Sequence, residues 1–128
     1  MAESKLPPLL ADRSDKQQLF LRFVAPAILG AVVGLVVGIS APLYWVLQLV
    51  AAIGGLGAGI EHRGAAEGAK RGVVGGAIYG ALILIVHELT GAEAEVELGE
   101  VPILLVVVTA LFGALLGALG GAWRARRT

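Results

Sequence analysis

Four long apolar stretches, separated by short polar breaks, dominate the pattern of the chain. No charged residue occurs within residues 23–40, 41–60, 72–86 or 101–123. Eighteen helical residues rise about 27 Å, which is close to the roughly 30 Å hydrocarbon core of a bilayer. The pattern therefore predicts an all-α fold, an integral membrane four-helix bundle with spans at about 20–40, 42–60, 66–89 and 101–123.

The third apolar stretch is the shortest and needs polar neighbours to complete a span. Alanine and glycine between residues 65 and 69 extend the helix, while Lys70 and Arg71 reach towards the headgroups. At the other end, His87 and Glu88 sit in the membrane interface. This helix is therefore expected to be longer than its uncharged part.

The breaks predict two helical hairpins. Pro42 disfavours helical geometry at the residue before it and suits the start of a helix, so the first two spans should form a tight hairpin. Gly91 should stop the third span, and an acidic loop at 91–100 should connect it to the fourth. Ser14 with Gln17 is a capping box before the first span, where Pro26 should produce a kink.

The chain is expected to form one membrane domain, residues 14–128, after a disordered cytoplasmic tail at 1–13. The tail assignment follows from its mixed charge and its Pro7-Pro8 pair. A cleavable signal peptide is the competing interpretation of the first span. Its eighteen uncharged residues exceed the roughly 7–15 typical of a signal peptide, which favours a span.

The basic residues predict the orientation. All ten lie before the first uncharged stretch, between the second and third, or after the fourth: Lys5, Arg13, Lys16, Arg22, Arg63, Lys70, Arg71, Arg124, Arg126 and Arg127. Four spans place these three regions on one side, and the positive-inside rule makes that side cytoplasmic. We therefore expect a multi-pass protein of the plasma (inner) membrane with both termini in the cytoplasm. Ten bases and five acids give this side +5, and the five glutamates between residues 88 and 100 give the other −5.

Composition agrees with the membrane assignment and excludes several functions. Hydrophobic residues make up 57% of the chain and charged residues 16%, against about 45–50% and 25% in soluble domains. Zero net charge removes the basic footprint expected for nucleic-acid binding. The lack of cysteine excludes a disulfide scaffold, a thiolate metal site and a cysteine nucleophile.

Thirteen of the nineteen glycines recur at four-residue spacing along the spans. These row glycines are Gly30, Gly34, Gly38, Gly55, Gly59, Gly64, Gly68, Gly72, Gly76, Gly80, Gly113, Gly117 and Gly121. Small residues at this spacing let helix backbones approach closely in lipid, a glycine-zipper arrangement. The rows pack the four helices of one chain, or at least one row packs against a second copy in a homo-oligomer.

Candidate chemistry is sparse. His62 and His87 fall at opposite faces of the membrane, where solvated roles are expected, and the span interiors carry only Gln48, Tyr79 and Thr109 as hydrogen-bonding side chains. Interior ionisable residues mark proton relays and ion-coupled transport, so their lack argues against such transport. No catalytic residue, metal ligand or cofactor-binding residue is expected, and the protein is predicted not to be an enzyme.

The acidic loop leaves two interpretations open. Alternation of Glu with Ala, Val and Leu would put carboxylates on one face of an extended segment. Such a loop is a solvated cap that enforces topology, or it attracts a cation or a partner. The residues concerned are Glu93, Glu95, Glu97 and Glu100.

These observations predict a non-enzymatic structural or accessory membrane component that self-associates. Its partners are the lipid bilayer, further copies of the chain and an unidentified membrane protein, with no nucleic acid. The alternative is a small homo-oligomeric ion channel lined by glycine grooves, with the acidic loop at its external mouth.

One region resembles a family. The run Gly54-Gly55-Leu56-Gly57-Ala58-Gly59 is followed by Arg63-Gly64, Gly68-Ala69, Gly72 and Gly76. This region, residues 54–80, resembles small uncharacterised prokaryotic membrane proteins in which two glycine-rich helices flank a short charged turn. The resemblance implies a four-helix integral membrane protein without a known activity, and it carries over no functional residue.

Overall fold

Four long helices make up most of the structure, a computed structural model that describes residues 6–98 and 101–127. They are α1 (Asp15–Val37), α2 (Ala41–Ile60), α3 (Ala65–Thr90) and α4 (Ile103–Arg127). Each is long and apolar enough to cross a bilayer, and no strand occurs among these residues. The predicted all-α fold with four membrane spans is confirmed, and the chain is a multi-pass membrane protein.

The helix ends follow the local signals in the sequence. Ser14 Oγ accepts a hydrogen bond from the Gln17 N–H at 3.2 Å, and Ser40 Oγ accepts one from the Leu43 N–H at 3.3 Å. Both serines therefore cap the helices that follow them. Gly91 ends α3 in the left-handed region, with φ +67°, which an L side chain rarely adopts.

A π-helical turn at Phe20–Val24 interrupts α1 just before Pro26. Proline has no N–H to donate to the carbonyl four residues earlier, and wider turns often occur where the α-helical ladder is broken. The irregularity predicted for this part of α1 therefore takes the form of a wider turn, and the size of a kink stays a prediction.

The third helix lies at the centre of the bundle. Its most extensive interface is with α4, and α1 also packs chiefly on α3, while α2 packs chiefly on α4. The first two helices make few contacts with each other in spite of their three-residue connection. The tight first hairpin expected from the sequence is therefore not what the structure shows, because each of these helices packs on a later helix.

The main apolar core lies in the half of the bundle near the acidic loop. Val33 and Val37 of α1 are fully buried there with Ile83 of α3. Tyr79 of α3 donates a hydrogen bond to Gln48 Oε1 of α2 at 2.9 Å, so its hydroxyl is satisfied inside the bundle. Many large apolar side chains on the outer helix faces are exposed, as a lipid solvent would require.

Twelve of the thirteen row glycines lie where an added Cβ would come within 4 Å of another part of the chain. A Cβ at Gly72 would overlap the Gly113 carbonyl, and a Cβ at Gly113 would overlap the Gly72 carbonyl. Gly64 is the exception, because a Cβ there would meet nothing within 4 Å. Its carbonyl is still close to α4, since a Cβ at Gly121 would overlap it. Gly54, Gly57 and Gly75, which lie outside the rows, have nothing within 4 Å.

The bundle has two chemically different ends. At the base, defined here as the end with residues 6–13, 61–64 and 124–127, the Leu10 N–H donates to the Glu61 carbonyl at 3.0 Å. At the loop end, defined by residues 38–40 and 91–98, the Glu95 N–H donates to the Val37 carbonyl at 2.7 Å. The three basic regions thus share one end of the molecule, as their order along the chain predicts.

The segment preceding α1 differs from the disordered tail expected for residues 1–13. Residues 1–5 lie outside the described residues, whereas a 3-10 turn forms at Leu10–Asp12 and Leu10 is fully buried. This N-terminal segment, residues 6–13, is attached to the rest of the base by hydrogen bonds: the Leu10 N–H donates to the Glu61 carbonyl, and the Pro7 carbonyl accepts from Arg124.

Candidate functional site

The base contains a cluster of charged side chains around Glu61, which directly follows α2. The Glu61 N–H donates to the Ala58 carbonyl at 3.2 Å, closing the last turn of the helix. Its side chain is only 8% exposed. Arg13 donates through Nε to Glu61 Oε2 at 2.7 Å, and Arg71 donates to Oε1. Each carboxylate oxygen therefore has a guanidinium partner.

Arg71 connects three helices. Besides Glu61, it donates to the Ala58 carbonyl of α2 at 3.1 Å and to the Leu21 carbonyl of α1 at 3.5 Å. Its side chain is 10% exposed, so the expectation that it reaches out to the headgroups is wrong. The physical reason is that Glu61 offers a nearby buried carboxylate. Lys70, by contrast, points outward and lies 3.8 Å from Glu67 in an exposed pair.

Arg124 joins the last helix to the N-terminal segment. This residue is 3% exposed, and one of its terminal nitrogens donates to the Pro7 carbonyl at 2.6 Å and to the Ile60 carbonyl at 2.7 Å. The Ile60 carbonyl is at the C-terminal end of α2, where a cation is favoured by the orientation of the peptide dipoles. The base cluster, comprising Arg13, Glu61, Arg71 and Arg124, thereby connects all four helices and the N-terminal segment.

His62 lies beside this cluster but is not bonded into it. Its Nε2 atom is buried and has no hydrogen-bond partner within the described residues. Burial, followed by the nearby Arg71 charge, lowers the pKa of His62, although Glu61 and Glu67 act in the opposite direction. The neutral imidazole is therefore favoured in the folded protein. Among the described residues, no three histidine, aspartate or glutamate side chains are grouped closely enough to hold a metal ion.

The acidic loop forms one wall of an open depression of about 570 Å³ at the loop end. Val96 is buried against the core, while Glu93, Glu95 and Glu97 are exposed. This arrangement agrees with the predicted separation of apolar and acidic side chains, and Glu100 lies outside the described residues. His87 also lines the depression, at the opposite end of the molecule from His62.

The hydrogen-bonding side chains of the span interiors bond within the chain. Tyr79 and Gln48 bond to each other. Thr109 Oγ1 shares its proton between two carbonyl groups of its own helix, those of Leu105 at 3.0 Å and Val106 at 3.1 Å. These three residues were anticipated from the sequence, whereas the base cluster was not. A buried role for Glu61 could have been suspected because it is an acidic residue among basic segments, but its partner Arg13 is 48 positions away in the chain.

Comparison with models of protein families, with curated proteins and with solved structures finds no match to this chain.

Proposed function

We propose that the protein is a non-enzymatic structural or accessory component of the plasma (inner) membrane, with both termini in the cytoplasm. The observation that carries this proposal is that polar side chains at the base and inside the bundle bond to other groups of the same chain. The base cluster connects helix ends, and the Tyr79–Gln48 pair joins two spans. These groups stabilise the helix bundle. This is what a structural or accessory protein requires, because such a protein acts by contacting other membrane proteins.

Glycine-zipper packing is the second part of the proposal. Support comes from the contacts that a Cβ would make at Gly68, Gly72 and Gly76 of α3, each of which involves the backbone of α4. Apolar side chains gain little by leaving lipid, so close backbone approach has to supply much of the helix association. On this account the glycine rows hold one chain together.

Self-association is the third part of the proposal. It involves a face of α2 that the row glycines do not pack against another helix of the same chain. A Cβ at Gly54 or Gly57 of α2 would meet nothing within 4 Å, and both glycines lie among the exposed apolar residues Trp45, Leu49 and Ile53. A second copy, or another membrane protein, could cover this face by helix packing. Cross-linking in a bilayer, with Gly57→Leu compared with wild type, tests it: loss of a cross-linked dimer supports contact through this face, and a chain that is always monomeric contradicts self-association.

The accessory function is distinguished from the channel alternative by ion flux. The protein is reconstituted in liposomes that contain a fluorescent ion indicator, and flux is compared with protein-free liposomes. An accessory protein should add no flux. Flux that falls when Glu93, Glu95 and Glu97 are changed together to Gln would overturn the proposal in favour of a channel with an acidic mouth, because neutralising the loop removes its attraction for cations.

A further inference from the structure

A pocket of about 300 Å³ lies on the outer side of the first helix, next to the base cluster. It is lined by Arg13, Lys16, Gln17, Phe20 and Leu21. The polar and basic residues come first along the chain and the apolar ones follow. Four helical residues rise about 6 Å, so the pocket changes from charged to apolar over roughly one turn. This gradient matches the passage from phospholipid headgroup to acyl chain.

The bonding of the two basic side chains leaves positive charge at this pocket. Lys16 is exposed and forms no ion pair within the described residues. Arg13 also lines the pocket, and it uses Nε and one terminal nitrogen for Glu61, which leaves its second terminal nitrogen without a bond to that carboxylate. Gln17 adds a side-chain amide, which can also donate to an anion.

The neighbouring acids do not line this pocket. Asp15 precedes Lys16 directly, and successive helical residues are separated by about 100°. Viewed along the helix axis, the other lining residues lie on one side of Lys16 and Asp15 lies on the other side. Asp15 is therefore on the face of the helix opposite the pocket. Asp12 belongs to the 3-10 turn before α1 and is not among the lining residues.

We propose that this pocket binds an anionic phospholipid, with Lys16 contacting the headgroup phosphate and Phe20 and Leu21 contacting the acyl chains. The inference rests on the proposed placement of the base in a membrane interface. Basic pockets at this depth attract anionic headgroups. The apolar half of the pocket selects a lipid over a free phosphate ion, because free phosphate has no chain to cover Phe20, which is 48% exposed.

The test uses the full chain in vesicles that contain phosphatidylglycerol and phosphatidylcholine with identical acyl chains. After extraction in mild detergent, native mass spectrometry measures the lipids that remain bound. Wild type should retain phosphatidylglycerol preferentially, and Lys16→Gln should reduce that retention about fivefold, as loss of one interfacial cation predicts. Lys70→Gln is the matched control, because it removes the same charge at the same end from a lysine already near Glu67.

Three results would overturn the inference: equal retention of both lipids by wild type, equal losses in the Lys16 and Lys70 variants, or displacement of the lipid by millimolar inorganic phosphate. The last would identify a free-anion site. A chain that inserts into vesicles but shows no lipid preference contradicts this inference alone. A chain that does not insert contradicts the proposed membrane function as well.

Discussion

At the scale of single residues, Glu61 joins two arginines of the base cluster. It is nearly buried, and its two oxygens bind Arg13 and Arg71. A buried ion pair gains little over an apolar replacement, but removing one partner leaves an uncompensated charge and is costly. The base cluster is therefore sensitive to single substitutions in a way that the exposed charges nearby are not.

Glu61→Gln should lower the free energy of unfolding by about 3 kcal/mol, because two guanidinium groups lose their carboxylate. Denaturant titration of the protein in a mild detergent measures this change. Glu67→Gln is the control: its side chain is 65% exposed and faces Lys70 at 3.8 Å, so the change should be at most about 0.5 kcal/mol. Equal effects of the two substitutions would contradict the assigned role of Glu61.

His62 should make stability depend on pH. Burial lowers its pKa in the folded state below the usual 6.5, so the unfolded chain binds a proton first as the pH falls. The stabilising contribution of the neutral imidazole is present above about pH 6.5 and is lost as the pH falls from there towards the lowered pKa. Unfolding measured from pH 8 down to pH 5 should therefore show a decline in stability that His62→Gln reduces, and an unchanged decline in that variant would contradict the assignment to His62.

At the scale of helices, α3 and α4 have positions at which their two backbones approach closely. The interface between α3 and α4 brings glycines of one helix against carbonyl groups of the other, at Gly68 with Gly117 and at Gly72 with Gly113. Such an interface has little room to adjust, because the obstructing atoms belong to the backbone. Glycine content alone does not identify these positions, since Gly75 lies in the same helix with open space beside it.

Gly72→Ala should destabilise the protein, whereas Gly75→Ala should not. Alanine at position 72 would overlap the Gly113 carbonyl and separate the helices, which should cost about 2 kcal/mol or more. At position 75 the methyl group meets nothing within 4 Å, and the helix propensity of alanine should leave stability unchanged or raise it by up to about 1 kcal/mol. Thermal unfolding of both variants in the same detergent checks the pair. Similar losses at both positions would contradict the close approach at Gly72.

At the scale of the whole molecule, charge is separated between the two ends. The zero net charge of the chain is the sum of a basic base and an acidic loop end. Contacts between the N-terminal segment, the turn after α2 and the end of α4 bring the basic regions together. Because basic segments of membrane proteins stay in the cytoplasm, the chain should insert in one orientation, with the base in the cytoplasm.

The orientation can be measured by cysteine labelling, since the chain has no native cysteine to interfere. Glu93→Cys and Arg126→Cys replace exposed residues at the loop end and the base. In intact cells, a membrane-impermeant maleimide should label the cysteine at position 93 and leave the one at position 126 unlabelled until the cells are permeabilised. The reverse pattern would contradict a cytoplasmic base.

The sequence by itself determined the four spans, the cap at Ser14, the helix stop at Gly91 and the grouping of basic residues at one end. These features depend on local composition and spacing, which a linear chain displays directly. The tertiary structure decided that α1 packs on α3, that Leu10 is buried in the base, and that Arg71 turns inward to Glu61. Residues far apart in sequence meet at these points, and their pairing depends on how the helices are arranged in space.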